Sequence, residues 1–346
     1  MSRLGVVHHP LYQEHDPGPF HPESPRRLLT LEEVLAGPAA GLFTEIEPRP
    51  ATREEVCRVH RINHFDRMAA TAGAPRTMID PDTQTSARSF EAALLAAGGL
   101  LELVKAAITG RIDSGLALVR PPGHHAEANR SMGFCLFNNV AVAAEYALAD
   151  LGVERVLILD WDLHHGNGTQ HSFEAEKRVL YFSTHQYPFY PGTGAATETG
   201  RGEGQGFTIN VPLGPGHGDA EFVQIFERIL VPVAKEYSPE LILVSAGFDI
   251  HHRDPLGGQK VTALGFAAMA RLLSELAKET GPLVLTLEGG YSVQGQARGV
   301  LRIMEELAGQ SPLARDQLRD DPARPDIAAL AEVRRAQRDL WPVLKP

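Results

Sequence analysis

Four segments far apart in the chain each follow a short apolar run with groups that can ligate a metal or move a proton. Arg120-Pro121-Pro122-Gly123-His124-His125-Ala126-Glu127 follows Leu116–Val119. Asp160-Trp161-Asp162-Leu163-His164-His165-Gly166-Asn167-Gly168 follows Val156–Leu159. Ser245-Ala246-Gly247-Phe248-Asp249 follows Leu241–Val244, and Glu288-Gly289-Gly290-Tyr291 follows Leu283–Leu287. In extended backbone, residues at i, i+2 and i+4 face one way, so Asp160, Asp162 and His164 are expected to point together, away from Trp161 and Leu163. Asp162, His164 and Asp249 would give one imidazole and two carboxylates. That mixed nitrogen and oxygen set suits a catalytic Zn²⁺, although Fe²⁺ and Co²⁺ accept the same donors. Singly, each segment has a bland reading: a turn aspartate, a solvated His-His pair, a Gly-Gly-Tyr turn. Their coincidence at the ends of apolar runs argues for one site.

Those runs must be strands. With Leu4–Val7, Val179–Phe182 and Phe207–Val211 they make seven candidates. They are apolar throughout rather than alternating, which suits a parallel sheet covered on both faces. Between them the sequence predicts helices over Ser89–Lys105, Leu136–Leu148, Ala220–Glu236 (N-capped by Asp219 and kinked by Pro232), and Thr262–Thr280 behind a Thr cap. Pro322–Pro346 is expected to pack as an accessory helix within a C-terminal segment, residues 311–346. No composition break or Ser/Gly-rich linker divides the chain, so residues 1–346 are expected to form one domain. In an open parallel sheet, ligands bind at the carboxyl ends of strands, where the four polar segments lie.

Composition narrows the classes. Over 346 residues, 43 acidic against 33 basic side chains give a formal charge of −10, with no basic run longer than two. Nucleic acid and anionic membrane surfaces are therefore poor partners. No apolar run reaches spanning length, and the N-terminus has no signal-peptide core. Two cysteines, Cys57 and Cys135, make neither a disulfide framework nor a cysteine-rich zinc site. A cytoplasmic location is expected. The glycine-rich stretch 202–206 precedes a strand rather than a helix, so a dinucleotide cradle is not supported.

On RPPGHHA (Arg120–Ala126), GFCLFNN (Gly133–Asn139), LDWDLHHGNGTQ (Leu159–Gln170), YPGTG (Tyr190–Gly194), SAGFD (Ser245–Asp249) with Asp254-Pro255, and EGGY (Glu288–Tyr291), the sequence resembles the histone deacetylase superfamily. Asn210–Pro212, His21–Arg27 and Val59-His60 extend the resemblance, which covers about His8 to Leu307. The HHGNGTQ form is similar to the class II branch. The resemblance implies an open α/β arginase–deacetylase fold with a central, mostly parallel, eight-stranded sheet, one strand more than the seven read from the sequence. It implies Asp162, His164 and Asp249 as zinc ligands, His124 and His125 as the tandem histidines paired with Asp160 and Asn167, and Tyr291 as the catalytic tyrosine. Phe134 and Tyr190 become the walls of an acyl-lysine tunnel, with Gly133, Leu256 and Asp82 also on the substrate side. A structural K⁺ or Na⁺ is implied at Asp160, Asp162, His164, Ser183 and Thr184, and another at Phe173, Val179 and Phe207.

The implied chemistry is removal of a short acyl group from a lysine ε-amine, in a protein or peptide. An acetylated small amine is the other substrate class. Two departures weigh against polyamines: Leu256 stands where the polyamine-preferring vertebrate enzyme has a glutamate, and Phe65–Pro81 is short where the bacterial polyamine enzymes carry an insertion. The remaining readings are a binuclear manganese ureohydrolase, which needs more carboxylates, and a non-catalytic acyl-lysine binder. A homo-oligomer is compatible with all of these. His8, His9, His15, His251 and His252 are candidates for the mouth of the site.

Overall fold

The computed structural model describes residues 2–314 and 316–345, so the terminal residues of the expected domain, and Pro346 of the expected accessory helix, lie outside the described residues. Among the described residues ten strands form: β1 (Leu4–Val7), β2 (Phe43–Glu45), β3 (Arg76–Met78), β4 (Gln84–Ser86), β5 (Ser114–Ala117), β6 (Val156–Asp160), β7 (Val179–Gln186), β8 (Thr208–Leu213), β9 (Leu241–Ala246) and β10 (Leu283–Leu287). Eight of them build one sheet in the order β2-β1-β5-β10-β9-β6-β7-β8, and every pairing in it is parallel. The four strands that precede the polar segments, β5, β10, β9 and β6, are contiguous at its centre. Their carboxyl ends therefore lie side by side.

The uniformly apolar runs have the expected cause. Every residue of β5, β6, β9 and β10 is buried. Helices cover the sheet: Ser89–Ile108 packs on Asn139–Asp150, and Ala263–Ala277 packs on Val293–Leu307. Asn138 caps one of these by accepting from the Ala141 N–H, and Thr262 caps another by accepting from Leu264 and Gly265.

Several boundaries differ from the sequence reading. The strand expected at Leu116–Val119 is Ser114–Ala117, and Leu118 onward already belongs to the loop carrying the histidines. The eighth strand is β2, three residues (Phe-Thr-Glu) on the sheet edge, too short and polar to register as an apolar run. The small β3–β4 hairpin has no counterpart among the expected elements. Ala220–Glu236 is three consecutive segments, Asp219–Ile225, a π-helical turn Phe226–Leu230, and Val231–Tyr237 with Pro232 in its first turn. The π turn lets the chain pass a residue that has no N–H to donate. Gly218, not Asp219, is the N-cap; the Asp219 carboxylate instead accepts from the backbone and hydroxyl of Thr262. The C-terminal segment is helical only over Ala328–Gln337, with a short 3₁₀ turn at Pro342–Leu344. Among the described residues, no helix is long and apolar enough to cross a membrane.

Buried neutral histidines tie loops to this frame. His60 accepts from the Asn138 N–H at 2.8 Å, so its Nε2 must be unprotonated, and its Nδ1 donates to the Glu127 carbonyl at 2.9 Å. Burial, helped by His64, lowers its pKa to about 3. His185 donates to the Gly194 carbonyl at 2.8 Å, and burial lowers it to about 4. In the unfolded chain both groups take up protons near pH 6.5, where the folded protein does not. Stability is therefore expected to be full above pH 6.5 and to fall as pH drops toward 4, by about 2 kcal/mol for each group at pH 5. Urea denaturation across that range checks this; a flat profile would refute it.

Candidate active site

Beyond Asp160 the backbone leaves β6 and bends, so the alternation of polar and apolar side chains arises without extended strand. The carboxylates make the bends themselves. Asp160 Oδ1 accepts from the Asp162 N–H at 3.1 Å, and Asp162 Oδ1 from the His164 N–H at 2.9 Å. Trp161 and Leu163 are fully buried in the core on the other side.

Asp162, His164 and Asp249 come together. His164 Nδ1 lies 3.1 Å from Asp162 Oδ1 and 3.2 Å from Asp249 Oδ2, and one ligand atom from each residue falls within 4.8 Å of the others. Backbone amides aim the carboxylates: Leu163 N–H donates to Asp249 Oδ1 and Gly289 N–H to Asp162 Oδ2, each at 2.8 Å. The loops approach so closely that a Cβ on Gly289 would lie 2.3 Å from Asp249 Oδ2, and one on Gly247 would lie 2.2 Å from Asp162 Oδ2.

The electrostatics fit a cation. Burial and the neighbouring Asp162 push the Asp249 carboxyl up to about 7. Burial opposes a charge on His164, yet the two carboxylates overcome it and raise that group to about 10. Two buried acidic groups sharing one imidazole draw positive charge, and two oxygen donors with one nitrogen could hold a divalent cation with coordination positions left open.

The tandem histidines have opposite surroundings. His124 Nδ1 lies 3.0 Å from Asp160 Oδ2. Burial works against a charge there, but Asp160 and Asp162 push the pKa up to about 10. His125 Nδ1 lies 2.7 Å from Asn167 Oδ1, an amide that brings no compensating charge. Burial, then the charges of His124 and His164, hold it well below its ordinary value. The two adjacent imidazoles thus differ in proton affinity, His124 favouring the charged form and His125 the neutral one.

A cavity of about 100 Å³ opens onto these groups. His124, His125 and His164 line its depth together with Tyr291, while Phe134 and Tyr190 flank it. The Tyr190 ring meets His125 edge-on at 5.1 Å, and Phe134 meets Tyr291 edge-on at 6.0 Å. Gly133 and Leu256 are at the wall and Asp82 at the rim. Asp82 Oδ1 accepts from the Gly133 N–H at 3.3 Å, and Thr83 Oγ1 accepts from Phe134 N–H at 3.1 Å, so the β3–β4 hairpin props the wall. Asp160, Asn167, Asp162 and Asp249 sit behind the lining. None of His8, His9, His15, His251 and His252 lines this cavity. His15 and His251 are buried, and His8 sits between Glu32 and Glu45.

Three functional groups carry no assignment from sequence. Glu288 Oε2 accepts from the Gly123 N–H at 2.6 Å and the His124 N–H at 3.2 Å, fixing the histidine loop. Asp254 Oδ2 accepts from the Tyr291 N–H at 2.6 Å. Arg27 donates to the Gly290 carbonyl at 2.7 Å, and its guanidinium lies 5.3 Å from the Tyr291 ring centre. Each stands in a quoted motif, but its partner is remote in sequence.

Fold and site together define an α/β architecture with a candidate metal-binding cluster at the carboxyl ends of its central strands, and the comparisons narrow the class. The histone deacetylase domain model matches residues 21–307. Histone deacetylase 15 of Arabidopsis thaliana is 40% identical over 332 residues, covering 94% of this chain and 59% of that protein. A probable deacetylase of Archaeoglobus fulgidus is 41% identical, covering 84% of this chain and 82% of the relative. Histone deacetylase HDA1 of Saccharomyces cerevisiae is 38% identical over 93% of this chain, which spans 49% of the yeast protein. The crystal structure of the HDA15 HD domain superposes with a TM-score of 0.91 at 37% identity, covering 99% of this chain and 96% of that one. The chain belongs to the histone deacetylase family.

Proposed function

We propose that this chain, acting as one catalytic unit, is a zinc-dependent amidohydrolase that removes acetyl or another short acyl group from the ε-amine of lysine. The observation that carries the reading is the meeting of Asp162, His164 and Asp249 at the base of a narrow, aromatic-walled cavity that His125 and Tyr291 also line. Held by those three residues, a zinc ion supplies Lewis acidity, polarising an amide carbonyl and acidifying water.

The chain's own groups do the rest. His125, neutral and anchored through Nδ1, takes a proton from water at Nε2 and returns it to the leaving amine. His124 stays cationic and stabilises developing negative charge. Tyr291 keeps its proton, because burial and Asp249 raise it well above its ordinary value, and donates to the carbonyl oxygen as charge gathers there. Phe134 and Tyr190 accept the uncharged stem of an acyl-lysine. Leu256 at the wall offers no carboxylate for a distant ammonium, which favours lysine over polyamines.

A monovalent cation beside Asp160 and Ser183 is part of the proposal. These residues face each other across β6 and β7, and the neighbouring Thr184 hydroxyl is buried without a hydrogen-bond partner. A second, at Phe173, Val179 and Phe207, is proposed by family likeness; a cytoplasmic location is proposed separately, from the unpaired Cys57 and Cys135.

The test is one assay on purified protein. Acetyl-lysine peptide, acetylputrescine and acetylspermidine are compared side by side, with metal content measured. Peptide turnover with about one zinc per chain, lost to chelator and restored by Zn²⁺, is expected. Faster turnover of the acetylated amines would replace the lysine reading. Turnover of none of the three would overturn the proposal.

A further inference from the structure

Behind His125 a second relay runs outward to the surface. The helix Asn167–Phe173 presents Asn167 and His171 four residues apart, hence on one face. Both reach the same oxygen of Glu127: Asn167 Nδ2 donates to Glu127 Oε1 at 2.6 Å, and His171 Nδ1 to the same atom at 2.9 Å. Burial works to raise the Glu127 pKa, but the hydrogen bonds from His171 and Asn167 outweigh it and keep the group ionised. An ionised carboxylate only accepts. The side of the Asn167 amide that meets it must be the NH₂. The other neighbours of that NH₂, the His125 carbonyl at 3.3 Å and the Met132 sulfur at 3.5 Å, are acceptors as well.

The amide's orientation decides the state of His125. With NH₂ committed to Glu127, the carbonyl oxygen Oδ1 faces His125 Nδ1 at 2.7 Å and can only accept. Nδ1 must then carry the proton, which leaves Nε2 with a free lone pair. Turned over, the amide would donate to Nδ1 and drive the proton to Nε2, blocking it as a base. An aspartate at position 167 would not need this control, because both its oxygens accept. An asparagine does.

We infer that Glu127 is a positioning residue, which locks the Asn167 amide in one orientation and thereby selects the Nδ1–H tautomer of His125. The inference rests on the reading of His125 as the base, but its test can be read without catalysis. The comparable defect in a serine protease, a histidine held in the wrong tautomer, costs about 10⁴ in turnover.

The experiment uses the full chain, ¹⁵N-labelled, with imidazole nitrogens observed by long-range ¹H–¹⁵N correlation and His125 assigned by loss of its signals in His125→Gln. The wild type is expected to show the Nδ1–H form alone. Glu127→Leu removes the short, charged acceptor, leaves only the long contacts to the His125 carbonyl and the Met132 sulfur, and is expected to bring in the Nε2–H form, with kcat lowered about tenfold or more and KM within about twofold. Glu127→Gln keeps an acceptor oxygen and is expected to keep the tautomer and most of the turnover. Should Glu127→Leu fail to fold, Glu127→Lys places a donor in the same position and is expected to give the opposite tautomer. A pure Nδ1–H His125 in the folded Leu or Lys variant would overturn the inference. A wild type that shows the tautomer but hydrolyses no acyl amide would overturn the catalytic reading instead.

Discussion

Tyr291→Phe is expected to cut turnover of an acetyl-lysine peptide about 10²–10³-fold, the usual cost of one donor to a developing oxyanion. The change removes a single oxygen. The ring stays against Phe134 and the Arg27 guanidinium, and the backbone stays held by Asp254. Binding of the acyl stem should barely change, so the loss should appear in kcat rather than KM. Steady-state kinetics with a thermal-unfolding control is the measurement. Full turnover by a folded variant would remove Tyr291 from the reaction.

Glu23→Ala is expected to destabilise the fold by about 3–5 kcal/mol, the cost of stranding buried charges. Glu23 is wholly buried. Its carboxylate accepts from Arg120 Nη2 at 2.7 Å and from Arg27 Nη1 at 3.1 Å, with a further contact to Arg120 Nε, and His15 Nε2 lies 3.4 Å away. Both arginines are fully buried and would be left short of their counter-charge. The exposed pair Lys177–Glu203 is the control, and its loss should leave the urea midpoint unchanged. Burial tends to raise the Glu23 pKa, but Arg120 and His15 hold it well below the usual 4.5. Its contribution is therefore full above that pH and lost as acidity passes the folded value, a lower window than that of the histidines. A midpoint that moves no more than the control's would show the cluster to be unnecessary.

The legible part of this molecule was the part written locally. Strands buried on both faces spell continuous apolar runs, and the groups on their carboxyl ends follow within a few residues. Asp162, His164, Asp249, His125 and Tyr291 could thus be gathered before any coordinates. What escaped was long-range. Glu23 finds Arg120 across 97 positions, and Asn167 finds Glu127 across 40. Nothing in either segment names its partner. Edge strand β2 was missed because one face of an edge needs little apolar character. The bends after Asp160 were read as strand because Asp side chains closing on their own backbone preserve the alternation that a strand would give.

Phe134, on the cavity wall, sits at φ +70°, and Gly133 before it at φ +56°. A residue with a Cβ holds that left-handed conformation at a cost of about 1 kcal/mol or more, and a β-branched one at greater cost. Glycine at position 134 would shed that strain, offsetting part of the packing that the ring supplies. Position 134 therefore disfavours β-branched side chains, and position 133 leaves no room for one at all, because a Cβ there would lie 2.4 Å from His125 Cδ2.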